Sequence, residues 1–270
     1  MKQISIIMPA YNSSETIEGS INSVINQSYK DWELIVVDDC SSDGTGDIVN
    51  KIIERNKDLK IKLYKNAENK GVAYSRNFGV KMADGDLIAF LDSDDLWTED
   101  KLEKQIKLYR KLFENSDSNS ETKVLLFTGS AFITEKNKRL DYTLHVPAKV
   151  ERKDILKQNV ISCSSVLAGK ELLLKHEFPI TNMPIHEDFV VWIEILKEIP
   201  FAYGIDEPLL IYRVSNSSKS SKKSKAALMN WNTFRYVKMG YIESIYNMMF
   251  YAVRGLMKWR KIKSAGSKQI

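Results

Sequence analysis

The feature that most constrains this chain is the alternation, over its first 95 residues, of short apolar runs with segments of helical periodicity. Ile4–Met8 reads as a buried strand closed by Pro9, and Ile17, Ile21, Val24 and Ile25 then recur at helical spacing. Trp32–Val37 is a second apolar run, residues 48–53 a helix, Ile61–Tyr64 a third strand and Val72–Met82 another helix. Leu87–Leu91 is a fourth strand, entered through the turn Asp84-Gly85-Asp86. Strands separated by helices imply right-handed βαβ units and a largely parallel sheet covered on both faces, the doubly wound α/β class.

Beyond residue 97 the pattern is looser. A helix is expected from Thr98, an N-cap followed by Glu99 and Asp100, to about Phe113. Residues 115–122 are polar and read as a loop. Val124–Phe127 and Ala131–Thr134 read as two strands, residues 151–200 as a helix-rich block, and Ser215–Lys225 as an aperiodic Ser/Lys-rich loop. The expected organisation is one domain over 1–215, with a nucleotide-binding half (1–97) and an acceptor half (98–215), then a basic extension over 216–270.

Charge is distributed unevenly. The net charge is +5, yet residues 219–270 hold twelve Lys/Arg against the single acid Glu243, leaving the preceding body mildly acidic. The two cysteines, Cys40 and Cys163, lack the spacing of a zinc site or a disulfide framework. No run reaches the ~18 apolar residues that span a bilayer, and Pro9 interrupts the N-terminal apolar run too soon for a signal peptide. A cytoplasmic location is expected.

In an open α/β sheet, ligands bind outside the carboxyl ends of the strands. Two such ends carry clustered acids here: Asp38-Asp39, and Asp92-Ser93-Asp94-Asp95. Carboxylates converging on one sheet edge repel one another unless a cation sits among them, and oxygen-only ligands select a hard ion, Mg2+ or Mn2+. The cluster therefore suggests a metal–diphosphate site. Asp43, within Ser41-Ser42-Asp43-Gly44, reads instead as a turn former. After the first strand stands Pro9-Ala10-Tyr11-Asn12 rather than a glycine-rich phosphate loop, which disfavours a nicotinamide dehydrogenase or a P-loop kinase. Tyr11 is suited to stack on a base, and Asp39 to accept from the imide N–H of uracil.

Taken together, Ile7-Met8-Pro9-Ala10-Tyr11-Asn12, the run Val36 to Thr45, Asn69 to Asn77 and Phe90-Leu91-Asp92-Ser93-Asp94-Asp95 resemble the inverting family-2 glycosyltransferases of GT-A fold. The order and spacing agree across residues 4–97, and more loosely to about 213. The resemblance implies transfer of a sugar from a nucleoside-diphosphate donor, expected to be UDP-linked, to an acceptor hydroxyl. Bacterial relatives of this kind build O-antigen or capsule on lipid-linked saccharides. It implies that Pro9, Ala10, Tyr11, Asp39, Arg76 and Asp92 bind the nucleotide, and that Asp94 and Asp95 serve the metal, Mn2+ or Mg2+. Which of Asp92, Asp94 and Asp95 is the direct ligand stays open. Asp188 matches the general base, and Glu187, Trp192 and Arg213 match positions near the substrates. The departure is Ser215, where many relatives carry a His. His186 reads as a structural or surface residue.

Within 245–263, Ile245, Met249, Ala252, Leu256 and Trp259 share one helical face and Arg254, Lys258 and Lys261 the opposite one. Such a basic amphipathic helix either packs on the domain or lies on an anionic membrane, a peripheral contact at the inner face of the plasma membrane that would suit a lipid-linked acceptor. No nucleic-acid-binding module is recognisable. Competing readings are a nucleotidyltransferase, which would need a Lys/Arg-bearing glycine-rich loop after the first strand, and a non-catalytic sugar-nucleotide-binding relative. A phospho-accepting signalling domain would begin with the Val36–Asp39 strand, whereas here a strand–helix unit precedes it.

Overall fold

In a computed structural model, residues 3–113, 123–214, 223–251 and 253 are described. The elements run β1 (Ile4–Ala10), α1 (Ile17–Ile25), β2 (Trp32–Asp38), α2 (Thr45–Arg55), β3 (Ile61–Lys65), α3 (Val72–Met82), β4 (Leu87–Phe90), β5 (Leu96–Trp97) and α4 (Lys101–Phe113). They continue as β6 (Leu125–Thr134), β7 (Arg139–Leu144), β8 (Lys149–Val150), α5 (Arg152–Lys157), a 3-10 turn (Cys163–Ser165), β9 (Leu167–Gly169), α6 (Lys170–Lys175), α7 (Glu187–Glu198), β10 (Ala202–Val214) and α8 (Lys223–Tyr236). A last helix, α9, covers residues 241–251.

One sheet orders its strands β3-β2-β1-β4-β9-β6-β10-β5, with β7 on β6 and β8 on β10. Strands β3, β2, β1 and β4 pair in parallel, as the βαβ alternation predicts. Neither face of β1, β2 and β4 meets water, whereas the edge strand β3 is only partly covered. The central strands alternate between two cores, with Ile4, Ile6 and Met8 of β1 facing α1, α2 and α4 and Ile7 facing α3 and α7. The architecture is a largely parallel sheet with helices on both faces and further helices at the C-terminal end, as expected of the GT-A fold.

Three expectations are corrected. The two strands expected around residue 129 are one, β6, because Gly129 lets the chain run straight where a Cβ would meet the Glu207 and Leu144 carbonyl oxygens at 2.9 Å. The block over 151–200 contains β9, which pairs antiparallel with both β4 and β6 and joins the two parts of the sheet. The helix expected from Thr98 begins at Lys101; Thr98 instead bonds Asp100 through its hydroxyl and the Leu209 carbonyl through its amide. The polar loop over 115–122 lies outside the described residues.

Candidate active site

The cleft is built at the carboxyl ends of β1, β2 and β4. After β1 and β2 the chain turns through left-handed backbone at Asn12 (φ 47°) and Cys40 (φ 65°). The two turns are laced together: Asn12 N donates to Ser41 Oγ, Ser42 N to Asn12 Oδ1, and Ser13 N to Thr45 Oγ1. Asp43 accepts from Ser14 N, Thr45 N and Thr45 Oγ1. Burial alone would raise its carboxyl, but these bonds hold it below the usual carboxylate range, the role of a turn former.

Pro9 and Ala10 are buried within the sheet at the end of β1, while Tyr11, the next residue, stands half-exposed. Asp39 is buried and clamps the loop before α3. Asn66 Nδ2 and Lys70 N donate to its Oδ1 at 2.7 and 2.9 Å, and Gly71 N to its Oδ2 at 2.7 Å. Gly71 adopts φ 85°, which favours glycine there. That loop leads directly into the helix carrying Arg76.

Arg76 is buried at the centre of the site. Its Nη2 donates to Asp92 Oδ1 at 2.7 Å, and its guanidinium lies over the Phe178 ring at 5.3 Å. Burial would lower its pKa, but Asp92, with Cys163 and Asp188 nearby, pushes it up, so it stays charged. The acidic turn after β4 is held from three directions. Asp92 N donates to Ser164 Oγ, Ser20 Oγ donates to the Ser93 carbonyl, and Arg213 Nε donates to the Asp94 carbonyl.

The three acids of that turn are not equivalent. Asp92 keeps about a third of its side chain exposed beside Arg76. Asp94 is mostly buried, and burial together with the Asp92 charge pushes its carboxyl up to about 6. Asp95 is fully buried with Oδ1 accepting from Arg213 N at 2.9 Å; burial, then Asp94 and Asp92, push it well above the usual range. Among the described residues no three His, Cys, Asp or Glu side chains form a ready-made metal cage. Oxygen-only donors at Asp92 and Asp94, with a repulsion that a cation would relieve, fit an ion that takes one or two carboxylates and completes its shell from phosphate and water.

Asp188 reaches the same cleft from the first turn of α7, its Oδ1 accepting from Phe189 N at 2.8 Å. Burial raises its carboxyl above the usual range, opposed by Arg76 and His186. Two tyrosines stand near these acids: Tyr212, whose pairing with Arg213 resembles the family's motif at the active-site rim, and Tyr251, which no sequence motif marks. Burial and then Asp95, Asp94, Asp92 and Asp188 raise the Tyr212 hydroxyl; burial and Asp188 raise that of Tyr251, on α9. Tyr251 also packs against Phe189, ring centroids 6.1 Å apart.

Two nominated residues are buried. Trp192 is fully buried against Phe178 (6.1 Å), so α7 has entered the core by the turn after Asp188 and the indole does not line the cleft. Arg213 is buried too; besides the Asp94 carbonyl its guanidinium serves Thr134 O, Glu135 O and Asn137 Oδ1, joining the acidic turn to the β6–β7 connection. Its work is positioning. Glu187 lies beside Asp188 at the start of α7, and Ser215 lies outside the described residues.

A buried arginine among carboxylates at the strand ends of such a sheet is the arrangement expected of a glycosyltransferase. The profile of Glycosyl transferase family 2 matches residues 5–118. The chain is 36% identical to the putative teichuronic acid biosynthesis glycosyltransferase TuaG of Bacillus subtilis over 256 residues, covering 94% of this chain and 96% of the relative. It is also 36% identical to the UDP-Glc:alpha-D-GlcNAc-diphosphoundecaprenol beta-1,3-glucosyltransferase WfgD of Escherichia coli, covering 94% of each chain. This chain belongs to glycosyl transferase family 2. Among solved structures it shares its fold with Staphylococcus aureus TarS 1-349 in complex with UDP (TM-score 0.64, 20% identity, 91% of this chain and 69% of that one). The Pyrobaculum calidifontis mannosyltransferase PcManGT, in complex with GDP-Man and Mn2+, is similar again (TM-score 0.66, 19% identity, 98% of this chain and 73% of that one).

Proposed function

We propose that this enzyme transfers a sugar from a UDP-linked donor, with inversion, to a hydroxyl of a lipid-linked saccharide during cell-surface polysaccharide synthesis, working peripherally at a membrane. The observation that carries this reading is the convergence of Asp92, Asp94 and Asp188, from β4–β5 and α7, around the buried Arg76. The full-length similarity to a glucosyltransferase named for UDP-Glc and a diphosphoundecaprenol-linked acceptor supports the donor and acceptor classes.

In this reading residues 1–97 hold the nucleotide, with Asp39 and Tyr11 meeting the base and Arg76 and Asp92 facing the ribose and diphosphate. Asp94, assisted by Asp92, would hold Mn2+ or Mg2+, which neutralises the charge growing on the departing diphosphate. Asp95, tied to the backbone of β10, sets the position of its neighbours. Residues 98–215 supply the acceptor side, where Asp188 removes the acceptor proton as the oxygen attacks the face of the anomeric carbon opposite the diphosphate. A helix N-terminus is a rigid mount for such a base, and the flanking Arg76 keeps the carboxylate available. Among the described residues no helix is long and apolar enough to cross a membrane.

The deciding experiment measures UDP release over a panel of UDP-, GDP- and TDP-sugars with Mn2+, Mg2+ or EDTA, supported by calorimetry of UDP binding. Release or binding confined to UDP species and abolished by EDTA is expected. Absence of any metal-dependent UDP binding would overturn the reading.

A further inference from the structure

Helix α9 turns two unlike faces outward and inward. On the inward side Ser244 and Asn247 are buried, and Tyr251 packs on Phe189 next to the proposed base. The helix is tied to α8 by Arg235, which stacks on the Tyr241 ring at 4.0 Å and bonds the Met239 carbonyl. It is therefore a fixed part of the domain. The outward side nevertheless consists of Ile242, Ile245, Tyr246, Met249 and Val253, each between 51% and 87% exposed. Spacings of three and four residues put them on one stripe. Of the thirteen large apolar side chains that are exposed among the described residues, eight fall within 228–253, so this apolar surface is local to the end of the chain.

We propose that this outward face of α9 docks on the surface of an anionic lipid bilayer, which sets the bilayer at the edge of the acceptor site. The inference deepens the lipid-linked acceptor reading above and rests on it. The argument for a bilayer rather than a protein partner is charge and composition. Directly after the stripe, residues 254–270 contain six Lys/Arg and no acid. Cations that follow an apolar stripe in the sequence complement lipid phosphates, each worth about 1 kcal/mol near a charged surface. Tyr246 adds an aromatic of the kind that suits the headgroup region. Because Tyr251 lies on the same helix, the docked surface and the base that would receive the acceptor are only a helix diameter apart, about 10 Å.

The amphipathic face expected from the sequence is thus present at Ile245 and Met249, extended by Ile242, Tyr246 and Val253. Ala252, Arg254, Leu256, Lys258, Trp259 and Lys261 lie outside the described residues.

The test uses the full 270-residue chain in flotation with vesicles of phosphatidylglycerol mixed with phosphatidylcholine, or of phosphatidylcholine alone. The chain should float with the anionic vesicles and lose about tenfold in binding on neutral ones or in about 0.5 M salt. The double variant Ile245→Glu, Met249→Glu should lose about tenfold or more on anionic vesicles, with its melting temperature and UDP affinity unchanged. Flotation of the double variant like the unsubstituted chain would overturn the proposal, as would failure of the unsubstituted chain to float. So would a dimer in sedimentation equilibrium that the substitutions dissociate without any vesicle binding, since the face would then belong to a second copy. If UDP binding or transfer to a lipid-linked acceptor fails while flotation is intact, the functional reading is at fault and the docking surface stands.

Discussion

Arg76 and Asp92 form the innermost ion pair of the cleft, 2.7 Å apart, with the arginine buried and the aspartate partly open to the donor side. The geometry gives Arg76 two tasks, holding the acidic turn and lending positive charge to the cleft. Arg76→Met leaves Asp92 without its partner, a cost of about 3 kcal/mol, the low end for a broken buried pair because Asp92 keeps about a third of its side chain exposed. The melting temperature should fall by about 6–12 °C and UDP affinity by at least tenfold. Differential scanning calorimetry with and without UDP checks both, and a melting temperature within a degree of the unsubstituted enzyme would refute the structural role.

Asp188→Asn should leave UDP binding within a few-fold while lowering transfer by about 10²–10⁴, the usual loss for a general base. Since burial raises the Asp188 carboxyl, transfer by the unsubstituted enzyme should climb with pH through a midpoint above the ordinary carboxylate value. The asparagine variant should lose that limb. A variant retaining the rise would point to another base.

Asp94 gives a stability prediction with a definite sign. Its carboxyl is raised to about 6 in the folded protein from 3.8, so the folded state binds the proton more tightly. This group's contribution is most favourable below pH 4 and declines as pH rises between about 4 and 6. Asp94→Asn should therefore stabilise the ligand-free enzyme at pH 8 by about 1–3 kcal/mol and have little effect at pH 4, while weakening metal-dependent donor binding. Melting curves of both proteins across that range decide it; equal differences at both pH values would remove the electrostatic account.

Asp39 accepts three hydrogen bonds from residues 66–71, so its replacement does more than remove a contact to a base. Asp39→Ala strands two backbone amides and should cost about 2–4 kcal/mol in urea unfolding, besides abolishing detectable UDP binding. A fully stable variant with lost UDP affinity would confine Asp39 to recognition.

Cys40, exposed next to Asp39 and held at positive φ, offers a direct reporter of the proposed nucleotide pocket. Alkylation by iodoacetamide should be slowed at least several-fold by saturating UDP with metal, whereas buried Cys163 should stay unmodified in both states. Mass spectrometry of the labelled peptides gives the answer, and equal Cys40 labelling would place the nucleotide elsewhere.

The first 97 residues were legible because β1, β2 and β4 are buried on both faces and α1 and α2 each present an apolar stripe, so period and burial agree there. Acids at the ends of β2 and β4 could be read as a site because their positions follow from the sheet. The later elements were obscured by length and irregularity. Strand β9 has only three residues, β10 changes register between Ile205 and Leu210, and Gly129 imitates a break in β6. Trp192 misled because it lies one turn from Asp188 on the same helix face, and periodicity cannot reveal that Phe178 covers that face one turn deeper. Arg213 is a polar residue near a cleft whose hydrogen bonds are spent inside the protein, and Tyr251 carried no local signal at all.

Strand β9 also bears on how the protein comes off the ribosome. The edge of β4 that borders the acidic turn is covered only when β9 arrives, and roughly 75 residues of chain separate Phe90 from Leu167. At about 5–20 residues per second that edge waits about 4–15 seconds, with its backbone N–H and C=O groups open to other chains. Slowing synthesis within that interval, or overproducing the protein faster than nascent-chain binders can shield it, should send it to inclusion bodies before any defect in the finished fold is felt.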